Sequence, residues 1–408
     1  MRTNRRQFLG VTLAGVGAAA ASAEPSTGAA IASAPAAATA ATAATADEDS
    51  RPLPVVTPDL PTLQPRRIDA DGVKEFHLVA EPVRRDFLPG RPVDCWGFNG
   101  TMPGPTIEVT QGDRVRLVVE NRLPELFAMH WHGFEIPIEM DGVPGLTQDP
   151  IAPGETFVYE FTLHQHGTFF YHSHMAMQEM MGMIGLFIMH PREAYAPRVD
   201  RDFGLIFQEW ALRPNSNVPN TLEMDFNWFT INGRAGPATT PLLVRRGERV
   251  RIRMVNLGMD HHPIHLHGNT FETVATEGGR IPRAAWQPGN TVLVGVAQAR
   301  DVEFDAKYPG DWMLHCHLPH HMMNHMVAMV GPMQMRHGTS DDAPQVPGFP
   351  QDMFMAMDSM VEKPETRGLR PTWTGGMMGM MTLVRVLEDD LYDAIQADIT
   401  ARRNGEVA

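Results

Sequence analysis

The sequence has few cysteines, a deficit of positive charge and hardly any long apolar runs. Its 408 residues include two cysteines, Cys95 and Cys316, so at most one disulfide can form and a disulfide-rich scaffold is excluded. Lys and Arg number 34 against 48 Asp and Glu, which gives a formal net charge of −14. A surface of this sign repels nucleic acid and suits cationic partners. Beyond the N-terminus no apolar stretch is long enough to cross a bilayer, so no membrane span is expected in the mature chain.

The first 23 residues are typical of an export signal. Arg5 and Arg6 precede a short apolar run rich in Ala and Gly, which ends at Ala21-Ser22-Ala23. This order predicts a twin-arginine signal peptide over residues 1–23 and therefore a periplasmic or secreted protein. The alternative is a membrane anchor, which the shortness of the run disfavours. Cleavage removes three arginines and no acid, so the formal charge goes from −14 to −17.

The rest of the chain is typical of an all-β protein. Residues 24–65 are rich in Ala and Pro and carry no hydrophobic period, which predicts a disordered linker. Short alternating apolar runs follow, such as "VRLVVE" and "FVYEF", separated by Gly, Pro and Asn. These runs predict β-sandwiches with little helix.

An internal repeat divides this β region into two halves. The segments "GDRVRLVVEN" and "GERVRIRMVN" match at an offset of 135, and "GTFFYHSH" matches "GDWMLHCH" at an offset of 143. Two copies of one β domain are therefore predicted, over residues 66–191 and 192–337. Residues 338–408 are predicted to form a Met-rich tail without its own core, ending in one amphipathic helix.

Histidines occur in four clusters, "HWH" from residue 130, "HSH" from 172, "HPIHLHG" from 262 and "HCHLPHHMMNHM" from 315. Residues i and i+2 of a strand point to the same face, so each H-x-H pair directs two imidazoles toward one place. A single pair is more often a satisfied core or surface feature. Four pairs at matched repeat offsets predict metal binding, and eight imidazoles are too many for one ion.

The cysteine of the fourth cluster indicates a second kind of site. Cys316 points away from the two histidines that flank it, so one strand links two metal sites. On its side, His262, His321 and Met326 complete a set of two His, one Cys and one weak Met, which is the ligand set of a blue, type 1 copper. This role for Cys316 leaves Cys95 as a free thiol that we expect to be buried.

Two neighbouring histidines make the choice of type 1 ligands ambiguous. His261 and His320 adjoin His262 and His321, and spacing alone favours the latter pair.

These motifs, which cover most of residues 90–335, resemble those of the multicopper oxidases. The resemblance is to laccase-like members with two tandem cupredoxin-like Greek-key β-sandwich domains and the type 1 copper in the second. It implies about four copper ions per chain, one type 1, one type 2 and two type 3. It assigns the type 2 copper to His130 and His265, one type 3 copper to His132, His172 and His317, and the other to His174, His267 and His315.

The first domain is not expected to hold a blue copper. By the repeat, Ser173 stands in place of Cys316, Gln178 in place of His321 and Phe127 in place of His262, while Met183 aligns with Met326.

The resemblance implies an oxidoreductase that uses dioxygen as its electron acceptor. A small reducing substrate, such as a phenol, an aromatic amine or a low-valent metal ion including Cu(I), would donate single electrons near His262. Cys316 would connect the type 1 site to the cluster, where dioxygen is reduced to water by four electrons.

Asp141 matches an acidic residue that the family uses for proton delivery. The other interpretation of Asp141 is an ordinary turn residue before Gly142. A homotrimer with the copper cluster between subunits is also implied.

Two other functions account for parts of the sequence. The 28 methionines cluster near residues 175–183 and 377–381, which favours either Cu(I) binding or flexible core packing. A copper-sequestering or copper-tolerance protein is therefore one alternative. A nitrite-reductase-like copper enzyme is the other, although it needs a blue copper in the first domain. His164 and His166 are interpreted as structural, because no partner cluster requires them.

Overall fold

The computed structural model describes residues 52–175, 177–213, 216–324 and 357–405. Their strands form four sheets, which pair into two β-sandwiches. The all-β prediction is therefore confirmed, while the predicted signal peptide lies outside the described residues. No helix among the described residues is long and apolar enough to span a membrane.

The first sandwich has ten strands: β1 (Thr62–Leu63), β2 (Arg67–Ile68), β3 (Lys74–Leu88), β4 (Arg91–Phe98), β5 (Thr106–Thr110), β6 (Arg114–Asn121), β7 (Met129–His132), β8 (Thr156–Thr162), β9 (Gly167–Ser173) and β10 (Ile184–His190). One sheet has the order β1-β5-β10-β9-β7, and the other has β2-β3-β6-β8 with β4 paired to β3. Alternate residues of β6, such as Val115 and Leu117, are fully buried against Phe169 and Phe187 of the facing sheet. This alternation is the period-two pattern of a strand with one face in the core.

The second sandwich has twelve strands: β11 (Arg201–Trp210), β12 (Trp228–Ile231), β13 (Leu242–Arg245), β14 (Arg249–Asn256), β15 (His262–Leu266), β16 (Phe271–Thr276), β17 (Gly279–Arg280), β18 (Gln287–Gly289), β19 (Thr291–Val294), β20 (Gln298–Asp305), β21 (Gly310–Cys316) and β22 (Met381–Leu387). One sheet runs β12-β11-β14-β20-β16-β17 with β18 on β16, and the other runs β13-β22-β21-β15-β19. The single α-helix among the described residues, α1 (Asp389–Arg403), buries Tyr392 and Ile395 beside Leu243.

Strand β22 corrects the predicted end of the second domain. It lies inside the sheet, parallel to β13 and antiparallel to β21, with Met381 opposite His315. In the first sandwich β10 has the same place, parallel to β5 and antiparallel to β9, with Ile184 opposite His172. The second domain therefore does not end at residue 337, because its last core strand comes from the segment that the sequence placed in a separate tail.

The predicted linker also ends earlier than residue 65. The Val56 N–H donates to the Asp202 carbonyl at 2.8 Å, and the Gly204 N–H donates to the Val56 carbonyl at 2.9 Å. Val55 is buried in a cluster that contains Phe170 of the first sandwich and residues of the second. A proline-rich stretch can be ordered in this way because a few apolar side chains and backbone groups find partners in the seam between the sandwiches.

A buried polar network joins the two sandwiches at the start of β9. Thr168 donates a hydrogen bond to Asp301 at 2.8 Å and accepts one from Arg253 at 2.8 Å. Arg253 is also bidentate to Asp202, at 2.8 Å for each contact. The start of β9 thus contacts the sheet that contains β14 and β20, whereas β15 and β21 belong to the other sheet of the second sandwich.

Candidate metal centres

The first candidate centre is a convergence of three donor atoms in the second sandwich. His262 starts β15, Cys316 ends β21, and His321 follows in a short 3-10 turn, Pro319–Met322. The two Nδ1 atoms of His262 and His321 are 3.1 Å apart, and Cys316 Sγ lies 3.9 Å from the first and 3.4 Å from the second. All three residues are buried, which is the arrangement that one ion can bridge.

The structure distinguishes these ligands from their neighbours. His261 is exposed, and its Nδ1 accepts a hydrogen bond from the Val296 N–H at 3.0 Å. His320 is exposed as well, whereas the ring of His321 stacks on Phe229 at 4.4 Å between centroids. The buried member of each pair faces Cys316, as spacing predicted.

Burial sets the protonation of this centre. It lowers the pKa of His321 to about 4, with a further contribution from the charge of His262, so the imidazole is in its neutral, metal-binding form at neutral pH. Burial also raises the pKa of Cys316 to about 12. Copper is bound by the thiolate, so metal binding at this centre has to release a proton.

The corresponding place in the first sandwich contains no such donor set. The Ser173 hydroxyl donates to the Gln178 side-chain oxygen at 2.7 Å, and the Gln178 amide donates to the Leu126 carbonyl at 2.9 Å. Phe127 is fully buried where the second sandwich has an imidazole. Internal hydrogen bonds and an aromatic ring therefore occupy the positions that hold His262, Cys316 and His321 in the second sandwich.

Sequence reasoning missed one residue beside the His262, Cys316 and His321 centre. The Cys316 N–H donates to the Met380 carbonyl at 3.0 Å, and the Met380 N–H donates to the His321 carbonyl at 3.0 Å. Met380 is fully buried in the same apolar cluster as Cys316. In the first sandwich the Ser173 N–H makes the same bond to the Met183 carbonyl, at 3.2 Å.

Met183 and Met380 therefore occupy equivalent places, each after a glycine and directly before the strand that follows the cluster. The sequence predicted Met326 as the weak ligand from its spacing of ten residues after Cys316, and Met326 lies outside the described residues. The available signal was a Gly-Met pair in front of an apolar strand-like run.

The second candidate centre is a set of four histidines on β7 and β9. His130 and His172 lie opposite each other in register, with ring centroids 5.2 Å apart. His132 Nδ1 and His172 Nε2 are 3.3 Å apart, and His172 Nδ1 is 2.8 Å from the Ser173 carbonyl. His174 follows at the exposed edge, 5.2 Å from the ring of His130. Burial, with help from neighbouring imidazoles, lowers the pKa of His132 to about 4.

A matching set lies on β15 and β21. His265 and His315 are opposite each other, with ring centroids 5.7 Å apart. His267 Nε2 and His315 Nε2 are 3.1 Å apart, and His315 Nδ1 is 2.8 Å from the Cys316 carbonyl. His317 is exposed, 5.6 Å from the ring of His265. Each sandwich thus presents two half-buried, one buried and one exposed imidazole.

Backbone carbonyls orient the two histidines that the resemblance assigns to type 2 copper. His130 Nδ1 is 2.7 Å from the Asp141 carbonyl, and His265 Nδ1 is 2.7 Å from the Asn290 carbonyl. A carbonyl oxygen only accepts, so each Nδ1 carries the proton and each Nε2 is left with its lone pair for a metal. The same holds for the type 3 candidates His172 and His315. The His-Cys-His set and the two four-histidine sets therefore all fit copper.

Two carboxylates adjoin the first histidine set. Asp141 Oδ1 lies 3.6 Å from His130 Nδ1, and Glu179 Oε1 lies 3.1 Å from His172 Nδ1. Both side chains are about one-third exposed, and Glu179 was not predicted because no motif marks it. Gly142 has φ of +82°, and a Cβ there would lie 1.7 Å from the Met129 carbonyl oxygen, so the Asp-Gly turn is sterically required.

The remaining predicted residues are structural where they are described. Cys95 is a buried free thiol, as expected. His166 Nδ1 is 2.6 Å from the Tyr195 hydroxyl, in the segment between the sandwiches. Met377 and Met381 are buried in an apolar cluster, which favours the core-packing interpretation of these methionines.

Comparison with known proteins agrees with these centres. Two family models, both described as multicopper oxidase, match residues 80–194 and 212–333, which together are more than half of the chain. The copper resistance protein A homolog of Pseudomonas syringae pv. tomato is 39% identical over 166 residues, covering 40% of this chain and 28% of that protein. Laccase-2 of Botryotinia fuckeliana is 33% identical over 238 residues, covering 52% of this chain and 40% of that protein. The chain thus spans less than half the length of either relative.

A solved structure gives the same result for the fold. The blue copper oxidase from Nitrosomonas europaea is similar with a TM-score of 0.57 and 32% identity, covering 62% of this chain and 81% of that one. With its two β-sandwiches and its three histidine-rich donor sets, this chain belongs to the multicopper oxidase family.

Proposed function

We propose that this chain is an exported oxidase that couples one-electron oxidation of a small reductant to four-electron reduction of dioxygen to water. The observation that carries the proposal is the strand β21. It ends in His315 and Cys316, and His317 follows directly, so adjacent residues belong to the buried His-Cys-His centre on one side and to a four-histidine set on the other. Copper bound at these sites would supply one-electron redox chemistry and the reduction of dioxygen.

The side chains around β21 support electron transfer between the two sites and copper binding at each of them. The Cys316 thiolate and the flanking peptide bonds provide a short covalent connection between the two sites. Burial lowers the pKa of His130 and His315, and the Nδ1 atoms of both lie on backbone carbonyls, so both can present Nε2 to a metal without reorganisation. Asp141 is proposed to deliver protons beside His130, and Glu179 lies in an equivalent position beside His172.

The complete cluster is proposed to form between subunits. The eight histidines divide into two sets, and among the described residues no ring contact or hydrogen bond joins one set to the other. His174 and His317 are exposed at the edges of their sets, where a neighbouring chain can reach them. Docking of the first sandwich of one copy against the second sandwich of another is a heterologous contact, which closes into a ring. The family resemblance favours a homotrimer.

Met380 is proposed as the weak axial ligand of the type 1 site, in place of Met326. Its backbone is bonded to both Cys316 and His321, and its position is equivalent to that of Met183. Met380→Leu is expected to shift the blue absorption band and the reduction potential of the copper-loaded protein, whereas Met326→Leu should leave both unchanged. The opposite pattern would assign the ligand to Met326.

Electron donation is proposed to occur beside His321 rather than His262. The His262 side chain is fully buried. His321 Nε2 is 3.3 Å from Asp260 Oδ2, and the Asp260 side chain is 41% exposed. An exposed carboxylate at this edge suits aromatic amines, phenols that donate a hydrogen bond, and low-valent metal ions. Export remains a proposal that rests on the paired arginines near the N-terminus.

Copper content and oxygen uptake test the proposed function together. The copper-loaded protein is expected to hold about four copper ions per chain and to consume oxygen with a phenolic or amine donor. Cys316→Ser should lose the blue band and nearly all oxygen uptake while its four-histidine sets keep copper. About two copper ions per chain would favour a nitrite-reductase-like enzyme, and full copper without oxygen uptake would favour copper sequestration.

A further inference from the structure

A buried carboxylate lies directly behind the type 1 centre. Glu209, at the end of β11, has a fully buried side chain, and its Oε2 is 3.2 Å from His262 Nε2. Its Oε1 accepts a hydrogen bond from the Asp260 N–H at 3.0 Å and another from the Met259 N–H. Neither the sequence motifs nor the proposed electron path accounts for this group.

The surroundings of Glu209 are adapted to the carboxylate. Among the described residues no Lys or Arg forms an ion pair with it, so its partners are two peptide N–H groups and one imidazole. A Cβ at Gly258 would lie 2.0 Å from Glu209 Oε2, so only glycine leaves room there. Burying a carboxylate away from water is costly unless its oxygens are hydrogen-bonded, and here both oxygens are.

The hydrogen bond to His262 determines which ring nitrogen carries the proton. A carboxylate can only accept, so the proton of the neutral imidazole must be on Nε2. The Nδ1 lone pair then faces His321 Nδ1 at 3.1 Å and Cys316 Sγ at 3.9 Å, where a metal would bind. The opposite tautomer would direct a proton into that space.

The second imidazole of the centre has a similar partner in different surroundings. His321 Nε2 is 3.3 Å from Asp260 Oδ2, but the Asp260 side chain is 41% exposed. Water and salt screen an exposed charge much more effectively than a buried one. The chain therefore allows a buried carboxylate, Glu209, to be compared with a partly exposed one, Asp260. Each lies beside the Nε2 atom of an imidazole of the type 1 centre.

We propose that Glu209 is a positioning residue of the type 1 centre, which holds the His262 proton on Nε2 and stabilises the more positive, oxidised state of a bound copper. The inference rests on the proposed function, because it assumes that copper occupies this centre. A negative charge in a dry site favours the higher charge of its neighbour, so Glu209 lowers the reduction potential.

Glu209→Gln separates this role from simple support of the 258–260 turn. The side-chain oxygen of glutamine can still accept from the two peptide N–H groups, so the turn keeps its partners. The amide nitrogen is a donor, however, and it would oppose the Nε2 proton of His262. The imidazole must then rotate or move its proton to Nδ1, into the metal space.

The first measurement is made on metal-free protein. Long-range proton–nitrogen NMR of histidine-labelled wild type should show His262 protonated on Nε2, and Glu209→Gln should lose or reduce that form. A wild-type His262 protonated on Nδ1 would overturn the proposal without any variant.

The second measurement is made on copper-loaded protein. Glu209→Gln should raise the reduction potential of the blue copper and weaken its binding about 10- to 100-fold. Asp260→Asn is the matched control and should produce a clearly smaller shift of the potential. Glu209→Asp keeps the negative charge but moves it away from His262, so its reduction potential should lie between those of wild type and Glu209→Gln.

The outcomes distinguish the possible failures. An unchanged potential and tautomer in Glu209→Gln, with only a lower melting temperature, would reduce Glu209 to a structural residue and overturn the proposal. Equal shifts in Glu209→Gln and Asp260→Asn would also contradict it, because burial would then make no difference. A wild-type protein that takes up no copper would instead overturn the proposed function, while the tautomer measurement would still stand.

Discussion

Mixing two defective chains tests whether the copper cluster forms between subunits. One variant carries His130→Ala and His172→Ala and has no working first-sandwich set. The other carries His265→Ala and His315→Ala and has no working second-sandwich set. Each variant alone should have no complete cluster, because every cluster needs one set of each kind.

The expected recovery follows from the separation of the two sets. When both chains are co-expressed in equal amounts, half of the first-sandwich sets and half of the second-sandwich sets are intact. A cluster between neighbours is complete when both of its sets are intact, which has a probability of about one quarter whatever the number of subunits in the ring. Oxygen uptake and cluster copper of the mixed assembly should therefore recover to about a quarter of wild type.

A cluster formed within one chain predicts a different result. Every chain in the mixture lacks one set, so no recovery would occur. The intersubunit proposal is refuted if circular dichroism shows that both double variants are folded and their co-expressed mixture is no more active than either variant alone. Neither variant changes His262, Cys316 or His321, so the blue absorption band expected of the proposed type 1 centre serves as an internal control for copper loading.

Three further predictions concern the described structure. Val384→Ala in the fully buried β22 should lower the free energy of unfolding by about 2–3 kcal/mol in chemical denaturation, while Val158→Ala at a 45% exposed position should change it by less than about 0.5 kcal/mol. A comparable loss at both positions would contradict the core placement of β22. Gly142→Ala should displace the Asp141 carbonyl from His130, with a loss of cluster copper measured by elemental analysis and of about 1–3 kcal/mol in stability; unchanged copper would show that the turn does not orient His130. Burial raises the pKa of Tyr195 to about 12, so the folded state holds this proton more tightly than the unfolded chain. The stabilisation that comes from the raised pKa of Tyr195 is complete below the pKa of the unfolded chain, near 10, and is lost between about pH 10 and 12. Tyr195→Phe should therefore make the melting temperature fall less steeply with pH in that range. An unchanged slope would refute the assignment.

Much of the site could be predicted because its chemistry is local. The alternation of side chains along a strand is enough to predict that the two histidines of an H-x-H pair point to one side. The same alternation predicts that Cys316 points away from His315 and His317. These short-range rules predicted which histidines group together, and the structure places His132 beside His172 and His267 beside His315. For the same reason Ser173 predicted that the first sandwich has no His-Cys-His set, and Ser173 is hydrogen-bonded to Gln178 at that position.

What depended on distant parts of the chain could not be predicted. Spacing after Cys316 predicted Met326 as the weak ligand, whereas strand pairing far along the chain brings β22 beside β21 and Met380 into backbone contact with Cys316 and His321. The buried Glu209 had no motif, because its role depends on a turn some fifty residues later along the chain.

The sequence by itself determined the family, the β architecture and the identity of most donor atoms, since these follow from residue type and strand alternation. Only the tertiary structure decided which strand closes the second sandwich, which methionine contacts Cys316 through its backbone and which carboxylate lies behind His262. Those choices depend on pairing and burial between segments far apart in sequence, where the free energy of packing the whole core, and not any local pattern, selects the partner.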